Sequence, residues 1–347
     1  MIDLYKLKFT IFCLILLSIL LSGCDNRSSK IETKYKDDWA FFNYGQSIDG
    51  VNGEEGVDID VIPAWKISQG NPNIVVAVVD TGVDSSCNIL KDRLLYNAAD
   101  KLDGNDNDSN GYIDDYFSWD FFNNSNDLFN DYLYDYHGTY ICTTIARAAP
   151  KIKILPVKFM ESSSGSTKNA ILALKYAINR GAKIINCSWN FQKYNDELYT
   201  LMANNPNILF ICSAGNSNIN LDKEKLYPCS YNLDNIITVA AIDNNGEIYK
   251  ASGYGNTANI AAPGWKVNVV LPEDDTTYID GTSVATSFVS AAAALLYSIN
   301  NSLKPKDIKD YIINSAHKID TLKLKCSSGG YLDIKESLDL CKSELSK

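Results

Sequence analysis

Histidine is nearly absent from this chain of 347 residues, which contains only His137 and His317. Any reaction that needs an imidazole as acid or base must therefore use one of these two side chains. The sequence also lacks a long run of lysine and arginine, and its formal net charge is -10. Because a surface that follows nucleic-acid phosphates needs such a run, we expect no nucleic-acid partner.

The cysteines lack the spacing of a metal site or of a disulfide framework. Several lie in apolar runs such as IINCSW and LFICSAG, where a free thiol packs as a small hydrophobic group. If one bridge forms in an oxidising compartment, Cys326 and Cys341 near the C-terminus are the best candidates.

The N-terminus has the pattern of an export signal. Two lysines precede an apolar stretch over residues 9–21, which is too short to span a bilayer comfortably. The stretch ends in LSGC, which resembles the motif in which bacterial lipoproteins receive a diacylglyceryl group on cysteine. We therefore predict a signal peptide over residues 1–23, lipidation of Cys24 and an extracytoplasmic protein anchored to the bacterial cell membrane. An uncleaved anchor and an ordinary signal with a chance cysteine are the alternatives, and both still export the chain.

Residues 24–37 are polar and charged, which predicts a flexible tether. No repeat divides the remainder, so we predict one domain over residues 38–345. Within it, apolar runs such as IVVAVVD, KIKILPVKF and IITVAAID alternate with helical patterns. This alternation predicts an α/β fold with a mostly parallel central sheet and helices on both faces. The run SFVSAAAALLYSI is apolar on nearly every side, which predicts a buried central helix.

Four polar residues occur at the ends of these predicted core elements. Asp80 ends a strand, where sites form in parallel sheets, and Asn216 ends another in SAGN. His137 heads a predicted helix in HGT, and Ser283 opens the buried helix in DGTS. A helix N-terminus favours developing negative charge. Each residue alone has an ordinary structural explanation, as a turn cap, a structural histidine, a helix cap or a turn asparagine, but their joint placement indicates a catalytic site.

The segments VVAVVDTGVD, HGT, IINCSW, SAGN and DGTSVAT resemble, in order, the signature segments of the subtilisin-like serine proteases, the subtilases of peptidase family S8. The similarity extends from about Trp39 to Ile334. It implies the three-layer subtilisin-like fold and a catalytic triad of Asp80, His137 and Ser283, with no cofactor needed for catalysis. It also implies that the Asn216 side chain and the Ser283 backbone amide hold the oxyanion.

By the same resemblance, an extended substrate pairs as a β-strand with two segments of the chain. These segments are Ser188, Trp189 and Asn190 on one side and Ser164, Gly165 and Ser166 on the other. The family usually has glycine where Asn190 stands, so we expect a narrower or more polar specificity pocket.

A separate acidic segment contains Asp106, Asp108, Asn110 and Asp114, with a glycine at position 111. Its alternating oxygens resemble the start of a calcium loop, although the closing glutamate is absent. Some subtilases carry a similar insertion. We therefore predict a structural calcium ion, with a solvated acidic turn as the alternative.

Together these features predict a secreted, membrane-anchored serine endopeptidase that acts as a monomer on peptide or protein substrates. An inactive subtilisin-like module that only binds a partner is the alternative, although such modules usually lack a member of the triad. Limited processing of one partner and general proteolysis both stay open. The short stretch between Cys24 and Asp80 leaves no room for the usual inhibitory pro-region, which slightly favours limited processing.

Overall fold

The computed structural model describes residues 33–346. Its helices are α1 (Val61–Ala64), α2 (Tyr132–Ala148), α3 (Thr167–Asn179), α4 (Asp196–Ala203), α5 (Thr282–Ile299), α6 (Pro305–Asn314) and α7 (Ile334–Leu345). Its strands are β1 (Ser47–Ile48), β2 (Val51–Asn52), β3 (Val75–Asp80), β4 (Lys153–Lys158), β5 (Met160–Glu161), β6 (Ser164–Gly165), β7 (Ile184–Cys187), β8 (Leu209–Ser213), β9 (Ile236–Ile242), β10 (Ile260–Pro263), β11 (Val267–Val270), β12 (Thr276–Ile279), β13 (His317–Lys318) and β14 (Gly330–Tyr331). The predicted signal peptide, residues 1–23, and the greater part of the predicted tether lie outside the described residues.

Eight strands form one central sheet in the order β13-β14-β10-β9-β8-β7-β3-β4. Neighbouring strands are parallel except for β13 and β14, which pair antiparallel at one edge. Strands β3, β7, β8 and β9 are buried along their whole length. This burial explains why their sequences are continuous apolar runs without polar alternation. The predicted α/β architecture is confirmed.

Helices cover both faces of the sheet. The connection from β3 to β4 passes through α2, and the connection from β4 to β7 runs the opposite way along the sheet through α3. Because such crossovers are right-handed, α2 and α3 lie on opposite faces. Helix α5 packs against α2 and against strands β7 to β10, and α4 packs against α3. The sheet therefore lies between two helical layers.

Helix α5 is the core helix that the sequence predicts. Every residue from Thr282 to Tyr297 is buried. By length and composition this helix could cross a membrane, yet 89% of it is buried inside the protein. The apolar surface of α5 therefore packs in the protein core, and this packing orients the side chains in the first turn of the helix.

The candidate bridge between Cys326 and Cys341 is not formed in this structure. All seven cysteines in the described part of the chain are free and buried. The Cys326 thiol lies 3.3 Å from the hydroxyl of Ser328, whereas Cys341 is buried within α7. Both thiols thus pack as small core groups, and burial raises the pKa of Cys341.

Candidate active site

Asp80 and His137 are in direct contact. Asp80 is the last residue of β3 and is fully buried, and its Oδ1 lies 2.6 Å from Nδ1 of His137. The same oxygen accepts a hydrogen bond from the backbone amide of Thr81 at 2.7 Å. A carboxylate in this position keeps the proton on Nδ1 and leaves Nε2 of the imidazole to face a reacting group. The second histidine of the chain, His317, is exposed in β13 at the far edge of the sheet.

His137 stands in the second turn of its helix and does not head it as predicted. Helix α2 begins at Tyr132, where the side chain of Asp131 accepts a hydrogen bond from the backbone of Leu133. Gly138 lets this helix approach the end of β3. A Cβ atom there would lie 2.6 Å from the backbone oxygens of both Thr81 and Gly82. Only glycine allows this distance, which brings the imidazole to the aspartate.

Ser283 is the second residue of α5, as the sequence predicts. Gly281 precedes the helix with a φ of 145°, a left-handed conformation that favours glycine. The Ser283 hydroxyl donates to the carbonyl oxygen of Ser188 at 3.2 Å, and Ser283 lines the same cleft as His137. The first turn of a buried helix therefore presents a hydroxyl to the cleft that holds the imidazole.

Asn216 follows the end of β8 and also lines this cleft. Its Oδ1 accepts hydrogen bonds from the backbone amide and the hydroxyl of Thr282, at 2.8 and 2.9 Å. With the oxygen held in this way, the Nδ2 amino group is the part of the side chain that can donate to a ligand. The structure thus brings Asn216 beside the residue that precedes Ser283.

The cleft has a volume of about 620 Å³. Ser188, Trp189 and Asn190 all line it. Trp189 is buried and donates from Nε1 to the backbone of Val79 at 2.8 Å. The side-chain amide of Asn190 pairs with Ser213, donating to its carbonyl at 2.9 Å and accepting from its hydroxyl at 3.3 Å. Asn190 therefore adds a polar group to the wall beside β8.

The cleft is also lined by Ser162, Ser163 and Gly165. Of the predicted segment, only Gly165 lines it. Ser164 is exposed, and Ser166 caps α3 by accepting a hydrogen bond from the backbone of Asn169 at 3.0 Å. The β5–β6 hairpin therefore reaches the cleft through Gly165 and the adjacent Ser162 and Ser163, and substrate contact there stays a prediction.

Sequence analysis missed several apolar residues that line the cleft. They are Tyr136, Phe159, Met160, Phe191 and Leu226. Phe159 and Met160 directly follow β4, so the rule that sites form at the carboxyl ends of parallel strands could have found them. Leu226 lies in a loop, where the sequence has no comparable signal.

Lys158 is a buried cation beside the Asp80 and His137 pair. It ends β4 in direct register with Asp80 on β3, and its Nζ lies 3.0 Å from Asp135, 3.1 Å from Glu161 and 3.6 Å from Asp120. Burial lowers the pKa of the Lys158 amine, but the hydrogen bonds and charges of these carboxylates outweigh it and raise the pKa above its ordinary value. The lysine is therefore charged, and it offsets part of the negative charge beneath α2.

The four predicted calcium ligands do not form a shared coordination shell in this arrangement. Asp106 and Asp108 accept hydrogen bonds from backbone amides of their own loop, at Asn110 and Gly111. Asp114 instead accepts from the amides of residues 103 and 104. Across residues 33–346, no group of three or more His, Cys, Asp or Glu side chains is arranged to hold a metal ion. Calcium binding stays a prediction. The predicted lipidation site, Cys24, lies outside the described residues.

The fold and the cleft define the class of protein. A parallel α/β sheet with a histidine and a helix-borne serine at one cleft, and a buried aspartate in contact with that histidine, is the arrangement of a serine-type hydrolase. A model of the subtilase family matches residues 71–331. Because this match covers most of the chain, the chain belongs to the subtilase family of serine peptidases, as the sequence motifs predict.

Curated relatives share just over a quarter of their aligned residues with this chain. The cell wall-associated protease of Bacillus subtilis strain 168 is 28% identical over 313 residues, which are 86% of this chain and 31% of that protein. Subtilisin-like protease 1 of Plasmodium falciparum isolate 3D7 is 29% identical over 299 residues, which are 76% of this chain and 43% of that protein. The chain thus spans less than half the length of these two relatives.

Solved structures share the fold. A prenylagaramide maturation protease superposes with a TM-score of 0.63 at 23% identity, over 81% of this chain and 98% of that one. A lanthipeptide protease superposes with a TM-score of 0.66 at 20% identity, over 80% of this chain and 90% of that one. These matches establish the three-layer subtilisin-like architecture.

Proposed function

We propose that this chain hydrolyses peptide bonds through an acyl-enzyme, with Ser283 as nucleophile, His137 as general base and acid, and Asp80 as the residue that orients the imidazole. The observation that carries the proposal is the contact of 2.6 Å between Asp80 and His137 at a cleft that Ser283 also lines. The buried aspartate accepts from Nδ1 of the imidazole and stabilises the cation that forms when Nε2 takes a proton.

The reaction has two halves. In the first, the Ser283 oxygen attacks the peptide carbonyl carbon while His137 takes the hydroxyl proton. The carbon–nitrogen bond then breaks, and His137 gives this proton to the leaving amine. In the second half, a water oxygen adds to the acyl carbon while His137 takes one of the water protons. The bond between this carbon and the Ser283 oxygen then breaks, and His137 gives the proton to Ser283. The acid product loses its remaining proton to solvent and leaves as a carboxylate, and the enzyme is restored.

The negative charge that develops on the carbonyl oxygen needs donors that are already in place. Asn216 provides Nδ2, because Thr282 holds its oxygen. The Ser283 amide in the first turn of α5 supplies the second donor. We also propose that the substrate lies extended between Ser188 to Asn190 and the β5–β6 hairpin, in strand pairing with the backbone.

A fluorophosphonate probe tests this assignment directly, because it reacts only with an activated serine. We expect labelling of the wild-type chain, no labelling of Ser283→Ala and strongly reduced labelling of His137→Ala. Ser217→Ala is the matched control, since Ser217 lines the same cleft without a proposed role in the reaction. Labelling that persists in Ser283→Ala would refute the assignment of Ser283 as the nucleophile. An unlabelled wild-type chain would favour the alternative of an inactive binding module.

We further propose that the protein acts outside the cytoplasm as a lipoprotein anchored through Cys24. The support is the LSGC motif after an apolar stretch, together with a relative named as a cell wall-associated protease. Expression in a bacterium that is fed an alkyne fatty acid tests this. The full chain should incorporate the label into the membrane fraction, and Cys24→Ser should not. Equal labelling of both would contradict lipidation.

The proposed substrates are peptides or proteins. Limited processing of one partner and general proteolysis predict different cleavage profiles. A polar group in the wall beside β8, supplied by Asn190, and the apolar side chains near Phe159 and Met160 favour selection among peptides. Digestion of a peptide library by the full chain separates the two. A narrow profile supports limited processing, and a broad one supports general proteolysis.

A further inference from the structure

A chain of hydrogen bonds inside the core connects the centre of α5 to its first turn through β7. The hydroxyl of Ser290 donates to Oδ1 of Asn186 at 2.9 Å. Nδ2 of Asn186 donates to the hydroxyl of Ser188 at 2.9 Å. The hydroxyl of Ser188 then donates to the backbone oxygen of Ser283 at 3.1 Å. Three side chains thus connect two elements that also pack directly.

All members of this chain are buried. Asn186 and Ser290 are fully buried, and Ser188 and Ser283 are 5% and 7% exposed. Asn186 lies in a central strand whose neighbours in sequence are apolar, and β7 is already paired with β3 on one side and β8 on the other. An amide there is not needed to complete the sheet. A fully partnered polar network in a core specifies one arrangement of the groups it joins.

The arrangement that it specifies is the distance between Ser188 and Ser283. Two hydrogen bonds run in opposite directions between these residues, from the Ser188 hydroxyl to the Ser283 backbone and from the Ser283 hydroxyl to the Ser188 backbone. Ser188 begins the segment proposed to pair with the substrate, and Ser283 is the proposed nucleophile. These two hydrogen bonds therefore fix the proposed nucleophile relative to the segment on which the substrate is proposed to lie.

We infer that Asn186, Ser188 and Ser290 are positioning residues, which hold the backbone of Ser283 against the substrate-pairing strand. This inference rests on the proposed function. A nucleophile must stand within a fraction of an ångström of its attack position, and a displacement of about 1 Å can cost about 100-fold in rate. Loss of the network should therefore lower kcat and leave KM nearly unchanged, because the cleft itself keeps its lining.

The test compares Ser290→Ala with Ser337→Ala. Ser337 is also a fully buried helical serine with two partners, the Ser315 hydroxyl and the Asp333 backbone, both at 2.7 Å. Both substitutions remove one buried hydroxyl, so both should lower Tm. Only Ser290→Ala should also lower kcat, by about 10-fold per active site as counted by fluorophosphonate labelling. Ser290→Thr, which keeps a hydroxyl, should recover much of this loss.

Ser188→Ala provides a second measurement if Ser290→Ala does not fold, since it removes the last two hydrogen bonds of the chain, from Asn186 and to Ser283, and should lower kcat in the same way. Equal kcat per labelled site in wild type, Ser290→Ala and Ser188→Ala would overturn the positioning role while leaving the proposed function intact. A wild-type chain that neither reacts with the probe nor cleaves peptides would overturn both.

Discussion

Two walls of side chains next to the cleft, most of them behind the residues that line it, are stabilised by different kinds of interaction. The charged wall consists of Lys158 with Asp120, Asp135 and Glu161, beneath the helix that carries His137. The neutral wall consists of hydrogen-bonded amides and hydroxyls around Ser283: Asn186, Ser188, Ser290, Asn216 and Thr282. Ion pairs hold the charged wall together, and hydrogen bonds between neutral groups hold the neutral wall together.

This difference has a physical consequence for mutation. Removing the cation from the charged wall leaves buried carboxylates without compensation, which is far more costly than losing one pairwise contact. Removing one hydroxyl or amide from the neutral wall costs one hydrogen bond and the desolvation of its partner. We therefore expect substitutions in the charged wall to act mainly on stability, and substitutions in the neutral wall mainly on turnover.

Lys158→Met should give the largest loss of stability. It leaves Asp120 and Asp135 buried without their cation, and breaking a buried ion pair in this way costs about 3–5 kcal/mol of unfolding free energy. Urea unfolding measures it. Lys175→Met is the control, because Lys175 forms an exposed pair with Glu197 at 3.3 Å that should contribute less than about 1 kcal/mol. Equal losses in both variants would show that the charged wall is not a buried network.

Asn216→Ala should have the largest effect on catalysis by the neutral wall. We expect kcat to fall by about 10²- to 10³-fold with little change in KM, the range found when the corresponding amide of a subtilisin is removed. Steady-state kinetics on a peptide substrate measures it, and Ser217→Ala is the control from the same cleft. Near-normal turnover in Asn216→Ala would refute its role at the oxyanion.

Much of the fold and the positions of the candidate catalytic residues could be predicted from sequence. Continuous apolar runs indicated buried parallel strands, and Asp80, Asn216 and Ser283 stand at the ends of core elements as expected. Local patterns were enough here because strand ends and helix starts are encoded by neighbouring residues. The position of His137 within α2 was wrong by about one turn, although Asp131 is a recognisable helix cap.

The contacts within the two walls could not be predicted, although Asn216 and Ser188 were themselves predicted as site residues. Lys158 ends an apolar run and would ordinarily be assigned to the surface. Its buried partners Asp120 and Asp135 come from segments separated from it by more than twenty residues, and only the folded chain brings them together. Likewise, Asn186 in IINCSW indicates a strand, but its bond to Ser290 spans 104 residues of sequence.

Glu161→Gln should have the smallest effect, and its pH dependence separates the two walls. A hydrogen bond from Asn123, with smaller contributions from Lys158, lowers the pKa of the Glu161 carboxyl in the folded state, against the raising effect of burial. A lowered folded pKa contributes stability at pH values above the unfolded value of 4.5, and this contribution disappears as the pH falls through the folded pKa.

Glu161→Gln should therefore be less stable than wild type at pH 7 by less than about 1 kcal/mol. This difference in unfolding free energy should vanish in acid. Burial raises the pKa of Asp120, and this raised pKa makes stability fall as the pH rises. The effect is the same in wild type and variant. The difference between their unfolding free energies therefore reports on Glu161. Ser290→Ala should instead show a loss that is constant from pH 4 to 8, because no member of its network titrates in that range. Parallel pH profiles for the two variants would contradict the distinction between a charged and a neutral wall.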